Sequence, residues 1–400
     1  MKKIEKYIVL ICLIAVAGLC SLAWADQIVI GTSAGGIFVR DEADLSSGQS
    51  AETFFENAIR PVTAVTANTD TGDIVIGMAG FGHGFIVSCN ALNINNSISN
   101  AVAFAENASS LTIDINGNLI AGGNDGIQPV VMQRMIPHVD SFPPNPPYVY
   151  PNAVMGAPSY TAIVTADSRG KFYVAVKETG LIIYRTLTWD RPVAYPMDQT
   201  SAGGQVNAMG TTSRGYIVYG MNNGTVHIRG NSSNWMGAAP AGYTETTGSL
   251  GSPVTALFVT SDNPGKVVIG LANGKVSVRG ASTLTTVISS IDFGVGHGIS
   301  ALTSTSNGNV AIATDDGGWV HVRSLSNLNT IVTSPVQFGG TVTGLAVCPL
   351  LLPANCNEAI ENGLDMVSDL NGDCKVDFED FEVFVQNWLH CMNPQDVNCL

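Results

Sequence analysis

VTALFVTSDNPGKVVIGLANGKVSVRG, Val254 to Gly280, decides the fold. Its last strand alternates, with Val276 and Val278 set against Lys275 and Ser277, and a period of two is a strand signal. Asn273-Gly274 before it is a tight-hairpin dipeptide, because both turn residues need positive φ. The unit therefore reads as strand, Gly-containing turn, strand, Asn-Gly turn, strand. It recurs as ISALTSTSNGNVAIATDDGGWVHVRS (Ile299–Ser324) and VNAMGTTSRGYIVYGMNNGTVHIRG (Val206–Gly230). Weaker copies run over Val62–Ser88, Leu111–Gln133 and Tyr160–Arg185.

The chain ends of this region carry half-units. QIVIGTSAGGIFVR (Gln27–Arg40) has only the second half and TVTGLAVC (Thr341–Cys348) only the first. The central hairpins begin near residues 28, 74, 119, 172, 216, 267 and 310. A spacing of ~43–53 residues is that of a four-stranded blade. The expectation is an all-β fold, a seven-bladed β-propeller over residues 26–348. Its velcro closure pairs Thr341–Val347 into the blade begun by Gln27–Arg40, since an open ring would leave unpaired edges.

Gly296-His297 precedes ISAL, Asp315-Asp316-Gly317 occupies the later turn, and Val322-Arg323 closes the unit. This arrangement resembles a WD-repeat blade over most of residues 26–348, although Val-Arg or Ile-Arg stands where Trp-Asp would. The resemblance implies that His297 bonds Asp316 or Asp315 and fixes its blade. Arg40, Arg185, Arg229, Arg279 and Arg323 end equivalent strands. They are expected on one rim, capping their own blades through turn carbonyls or a neighbouring Asp; anion binding by the ring is the alternative.

The first 25 residues, MKKIEKYIVLICLIAVAGLCSLAWA, place three lysines before an apolar run, with Ala23 and Ala25 at peptidase offsets. They read as a secretory signal peptide, so the mature protein is expected to be secreted or in the cell envelope, touching membrane only through export. The formal charge is -14; the leader carries three Lys and one Glu, so the remainder is near -16. Nucleic acid is excluded as a partner on that charge, because phosphate binding needs a basic surface. From Leu350 onward ten Asp and Glu face one Lys, which marks residues 349–400 as a separate unit.

That unit contains DLNGDCKVDFED, Asp369 to Asp380. A calcium loop takes oxygens from positions 1, 3, 5, 7, 9 and 12. Here these are Asp369, Asn371, Asp373, the carbonyl of Lys375, Asp377 and Asp380. Calcium is thus the expected cofactor of a small α-helical module. Phe378, Phe381, Val385 and Trp388 follow at helical spacing and predict an apolar helix face. Asp at position 12 and the phrase DLNGD resemble type I dockerin repeats over Asp369–His390. The resemblance implies a cohesin-like or cell-surface protein as partner. One repeat is present where dockerins have two, Phe378-Glu379 replaces small hydroxyl residues, and Cys374 replaces the loop glycine.

Six cysteines remain after the leader: Cys89, Cys348, Cys356, Cys374, Cys391 and Cys399. An even number in an exported chain favours disulfides. Within the module three connectivities are open; Cys356–Cys374 with Cys391–Cys399 is the first choice, since a bond at Cys374 would enforce the bend that glycine normally provides. Cys89 and Cys348 could form a third bridge.

No nucleophile elbow and no sialidase Asp-box is present, so no catalytic residue is assigned. His83, in GFGHGF, reads as a residue of an exposed turn. The Pro-rich loop Pro137–Pro158 carries Tyr148 and Tyr150, a candidate platform for a polysaccharide or peptide. Three functions fit these residues. The first is an exported, non-enzymatic binding or scaffold protein tethered by its calcium module. The second is a polysaccharide hydrolase or lyase built on the propeller, for which two facing carboxylates in the axial funnel would be the sign and a Gly, Ser and Thr lining the counter-sign. The third is a surface-layer or adhesion component.

Overall fold

The structure is a computed structural model. It describes residues 26–349, apart from 56–57, 70, 81–83, 92–93, 95–101, 105–106, 125–128, 136–147, 150–160, 169–170, 187–198, 231–243 and 263–264, and then residues 378–390. The chain divides into two units, Met1–Leu350 and Leu351–Leu400.

Within the first unit, six four-stranded antiparallel sheets are each made of consecutive strands. We number them as blades in chain order by their innermost and outermost strands. Blade 1 runs from Val62–Ala67 to Val102–Phe104, blade 2 from Asn107–Ile113 to Tyr148–Val149, and blade 3 from Ala162–Ala166 to Gln199–Ser201. Blade 4 runs from Val206–Thr211 to Thr244–Thr246, blade 5 from Val254–Val259 to Thr283–Asp292, and blade 6 from Ile299–Ser304 to Asn327–Gln337. A further four-stranded sheet, the closure sheet, joins the chain ends: Asp44–Glu52, Gly36–Asp41 and Gln27–Thr32 are followed by Val342–Cys348. In it Gln27 pairs with Cys348 and Ile28 with Val347, so neither end of the ring keeps an inner edge exposed. Innermost strands pack on one another in order, and Val342–Cys348 packs on both Val62–Ala67 and Ile299–Ser304.

A fixed bulge shapes the inner strands. In blade 1 Val62 pairs with Met78 and Ala64 with Gly77, leaving Thr63 extra. The same register shift falls at Ser109, Asn207, Thr255, Ser300 and Thr343. Blade 3 pairs Ala162 to Val176 without a shift. A bulge bends its strand and re-aims the extra side chain. Here the extra residue is a Ser, Thr or Asn every time. Thr343 Oγ1 donates to Val62 O (2.7 Å), Thr63 Oγ1 to Ala108 O (2.6 Å), Ser109 Oγ to Ala162 O (3.1 Å) and Asn207 Nδ2 to Val254 O (2.9 Å). Each bond crosses to the next sheet. Thr255 instead bonds Gly270 O of its own blade (3.3 Å), and Ser300 Oγ is buried without a partner.

The glycine of the IVIG-like strand has a packing reason. A Cβ on Gly31 would lie 2.5 Å from Val62 Cγ1, one on Gly77 2.8 Å from Ala108 Cβ, and one on Gly270 2.8 Å from Ile299 Cβ. In each case the obstacle is the start of the next inner strand. The glycine thus sets the spacing between sheets, independently of any turn.

Cores lie between neighbouring sheets, as in the cluster of Val268, Val276, Val278, Ile299, Val310 and Ile312 between blades 5 and 6. Cys89 and Cys348 share a cluster between the closure sheet and blade 1 and are free thiols. The bridge expected between them is therefore not formed. Cys89 sits on the third strand of its blade opposite Ile74, whereas Cys348 ends an innermost strand and turns its sulfur to Gly72 O at 3.3 Å. Burial pushes the Cys89 thiol up to about 12, with Asp73 and Cys348 adding to the rise. Burial, then Asp73 and Asp26, push Cys348 to about 12 as well. Neither forms thiolate at neutral pH, so neither is a ready nucleophile. Maleimide labelling of the native protein at pH 8, read by peptide mass, is expected to miss Cys89 and Cys348 and to reach both in denaturant. The other four cysteines lie outside the described residues.

In the second unit the helix Phe378–His390 is described, with Glu379 and Asp380 in its first turn. The first two residues of its expected apolar face are exposed. Phe378 is 87% and Phe381 58% exposed, and Phe381 contacts the Phe384 ring at 6.2 Å. Phe378 and Phe381 therefore face solvent, while Asp380 is buried.

Candidate functional site

Two regions of the first unit carry chemistry: the axial funnel, and the seams where the last sheets meet. The funnel, of about 950 Å³, is lined from the inner strands of the six blades and the closure sheet. Two residues beyond each bulge comes an apolar side chain on the same face: Val65, Leu111, Met209, Leu257, Leu302 and Leu345 all line it. Around this apolar belt the lining is mostly Ser, Thr and backbone, and its ionisable members are Asp26 and Lys177. The Asp26 carboxylate accepts the Ser306 backbone N–H. Among the described residues the lining shows no second carboxylate to face it, and paired-acid glycoside chemistry would need one.

The two seams whose bulge residue does not reach the next sheet are bridged by other side chains. Between blades 5 and 6, Leu328 N donates to Ser289 Oγ (2.8 Å), and Phe293 lies 4.6 Å from the His321 ring and 5.9 Å from the Arg323 guanidinium. Between blade 6 and the closure sheet, Glu42 is 3% exposed. It accepts Thr305 Oγ1 (2.7 Å), Asn307 Nδ2 (2.7 Å) and Asn309 Nδ2, and its backbone carbonyl accepts Thr333 Oγ1 (2.6 Å). Arg40 stacks there on Phe38 and Phe338, at 5.1 and 5.7 Å. Sequence reasoning passed over Glu42; the signal was a carboxylate at a hairpin turn and the hydroxyl-amide run Thr305–Asn309.

His297 Nδ1 contacts Asp316 Oδ2, which joins the connection after blade 5 to the second turn of blade 6. Arg40 donates to Gln49 O and Arg279 to Leu284 O (2.6 Å). Each acceptor belongs to the outermost strand of the same sheet, and Arg279 is 9% exposed. These guanidiniums are occupied internally, and burial lowers the pKa of Arg40, Arg279 and Arg323. Arg185 lies in the third strand of blade 3 and Arg229 in that of blade 4.

Burial, then the Arg323 charge, lower His321 to about 4. The folded protein therefore keeps this imidazole neutral where the unfolded chain protonates it, near 6.5. The unfolded state binds the extra proton, so stability falls as pH drops from about 6.5 to about 4. Urea midpoints at pH 7.5 and 4.5 are expected to differ in the native protein, and to differ less in His321→Gln.

Tyr148 falls in the short outermost strand of blade 2, not in a loop. Tyr150, His83 and the expected calcium ligands Asp369, Asn371, Asp373, Lys375 and Asp377 lie outside the described residues. The remaining expected ligand, Asp380, is 3% exposed in the first helical turn. A buried carboxylate at a helix start fits the twelfth position of such a loop, where the side chain must turn inward. Among the described residues no group of three His, Cys, Asp or Glu could hold a metal.

Closed four-stranded sheets around an axial funnel have counterparts among solved structures. The WD40 β-propeller domain of Doa1 aligns with a TM-score of 0.51 at 10% identity, over 71% of this chain and 86% of that one. The fold is that of a WD40 β-propeller. U3-55K aligns with a TM-score of 0.53 at 12% identity, over 71% of this chain and 84% of its own. The computationally designed Ika8 protein aligns at 0.50 and 16% identity, over 80% and 90%. At these identities the likeness concerns the fold alone. No family model matches the chain, and no curated protein matches it.

Proposed function

We propose that this is an exported, non-enzymatic binding or scaffold protein. In this reading the closure sheet counts as the seventh blade, the propeller presents the recognition surface, and residues 349–400 form a calcium-binding, dockerin-like tether. The observation that supports the non-enzymatic part is the funnel lining, which among the described residues is mostly hydroxyl and aliphatic, with the Asp26 carboxylate bonded to a backbone amide. Asp369, Asn371, Asp373, Asp377, Asp380 and the Lys375 carbonyl would hold calcium, which would bring the acidic segment together. Disulfides among Cys356, Cys374, Cys391 and Cys399 belong to the same proposal, with pairing left open.

Two measurements test it. Calcium titration of the mature protein should show one site, and Asp380→Ala should weaken it at least ~10-fold, as loss of a buried charged ligand does. The protein should then capture a secreted or envelope partner that elutes with EDTA, and Asp380→Ala should lose that capture. Turnover of a polysaccharide by the purified mature protein would sink the reading in favour of the glycan-degrading alternative.

A further inference from the structure

Asp26 and Glu42 are buried together at the seam between the closure sheet and blade 6, at 6% and 3% exposure. Glu42 N donates to Asp26 O (3.0 Å), which extends the ladder one step beyond the Gln27–Asp41 pair. The two residues are thus directly opposed, with α-carbons about 5.5 Å apart in such a pair. Among the described residues the donors to the two carboxylates are neutral: Ser306 N on Asp26, and Thr305, Asn307 and Asn309 side chains on Glu42. No Lys, Arg or His among the described residues forms an ion pair with either. Two buried anions without a cation are costly even when hydrogen-bonded.

The sequence has a cation to offer. The leader is expected to end at Ala25, so peptidase cleavage falls on the Ala25–Asp26 amide. Water adds across that bond, leaving a carboxylate on Ala25 and an ammonium on the Asp26 nitrogen. An α-amino group has a pKa of about 7.7–8.0, so it is mostly charged at neutral pH. The new charge sits on Asp26 itself, one β-pair spacing from Glu42.

We propose that leader removal completes the ring: the Asp26 ammonium is the counter-ion of the Asp26–Glu42 carboxylates and locks the closure sheet to blade 6. The precursor, whose Asp26 nitrogen is a neutral amide, is held less tightly and is easier to keep unfolded before export. This inference rests on the export reading for the cleavage step only.

The test compares three forms: residues 26–400 with a free amine, the same chain Nα-acetylated, and residues 24–400. The acetylated and extended forms are expected to unfold ~10-fold faster in urea, the effect of losing one partly buried charge pair. Introducing Glu42→Gln into the free and acetylated forms should shrink the difference to under ~2-fold, as a coupled pair requires. Equal unfolding rates for all three forms overturn the lock, whether or not the Glu42→Gln chains fold. The mass of the exported protein reports separately whether cleavage occurs at Ala25, so failure of the export reading and failure of the lock are distinguishable.

Discussion

Gly270→Ala is expected to destabilise the propeller by about 2–3 kcal/mol, the range for forcing an extra carbon into a packed site. The new Cβ would lie 2.8 Å from Ile299 Cβ and 3.2 Å from Leu302 Cδ1, both on the inner strand of blade 6. The Leu302 methyl could give by a few tenths of an ångström, but Ile299 Cβ is fixed to its backbone and cannot swing aside. Ile299 is buried at 1% exposure and belongs to the cluster that joins blades 5 and 6. Relief would have to come from moving one sheet away from the next, which opens that cluster. Gly248→Ala is the matched control, because nothing lies within 4 Å of its Cβ position. It is expected to be neutral or to stabilise by about 0.4–1 kcal/mol through the unfolded state. Urea denaturation followed by far-UV dichroism checks both; equal midpoints for the two variants would refute close packing of the sheets.

Glu42→Ala should have the larger effect, about 3–5 kcal/mol. Each hydrogen bond to a charged acceptor contributes about 1.5 kcal/mol or more, and donors left buried carry their own desolvation cost. Three side-chain donors of the Thr305–Asn309 turn lose their acceptor at once. Glu52→Ala, an exposed carboxylate on the outermost strand of the same sheet, should stay within about 0.5 kcal/mol of the parent. Hydrogen exchange localises the damage: amides of Ile299–Ser304 and Asn309–Thr314 should lose protection before those of blade 4. Uniform loss across the ring would mean that Glu42 supports global stability without acting at the seam.

These two sites also show what a linear reading can and cannot reach. The hairpins were legible because period two and Asn-Gly turns are local. The closure was legible because two half-units at the chain ends complete one another, and the Gln27–Cys348 register follows from that. The partners of Glu42 were not legible: they lie 263 residues or more away, and neither stretch has a pattern that names the other. The bulge residues were visible as letters but not as bulges, since one extra residue in a strand is seen only against its partner. Arg40 and Arg279 were readable as a repeated position expected to cap its own blade through turn carbonyls or a neighbouring Asp; the carbonyls they bond belong instead to the outermost strand of the same sheet. The helix of the second unit followed from spacing, but its exposed Phe378 and Phe381 show that periodicity gives the stripe and not what covers it.

The closing strand has a mechanical consequence. Val342–Cys348 is the last strand of the ring, and the chain passes from it through Pro349 toward the C-terminal unit. Were residues 349–400 to act as a tether, a pull on them would be delivered first to the strand that completes the ring. That strand is hydrogen-bonded along Gln27–Thr32, from Cys348 to Val342, and its far end is pinned by Thr343 to Val62. Force and closure share one ladder, so the tail cannot bear load without testing the same seven residues that keep the ring shut.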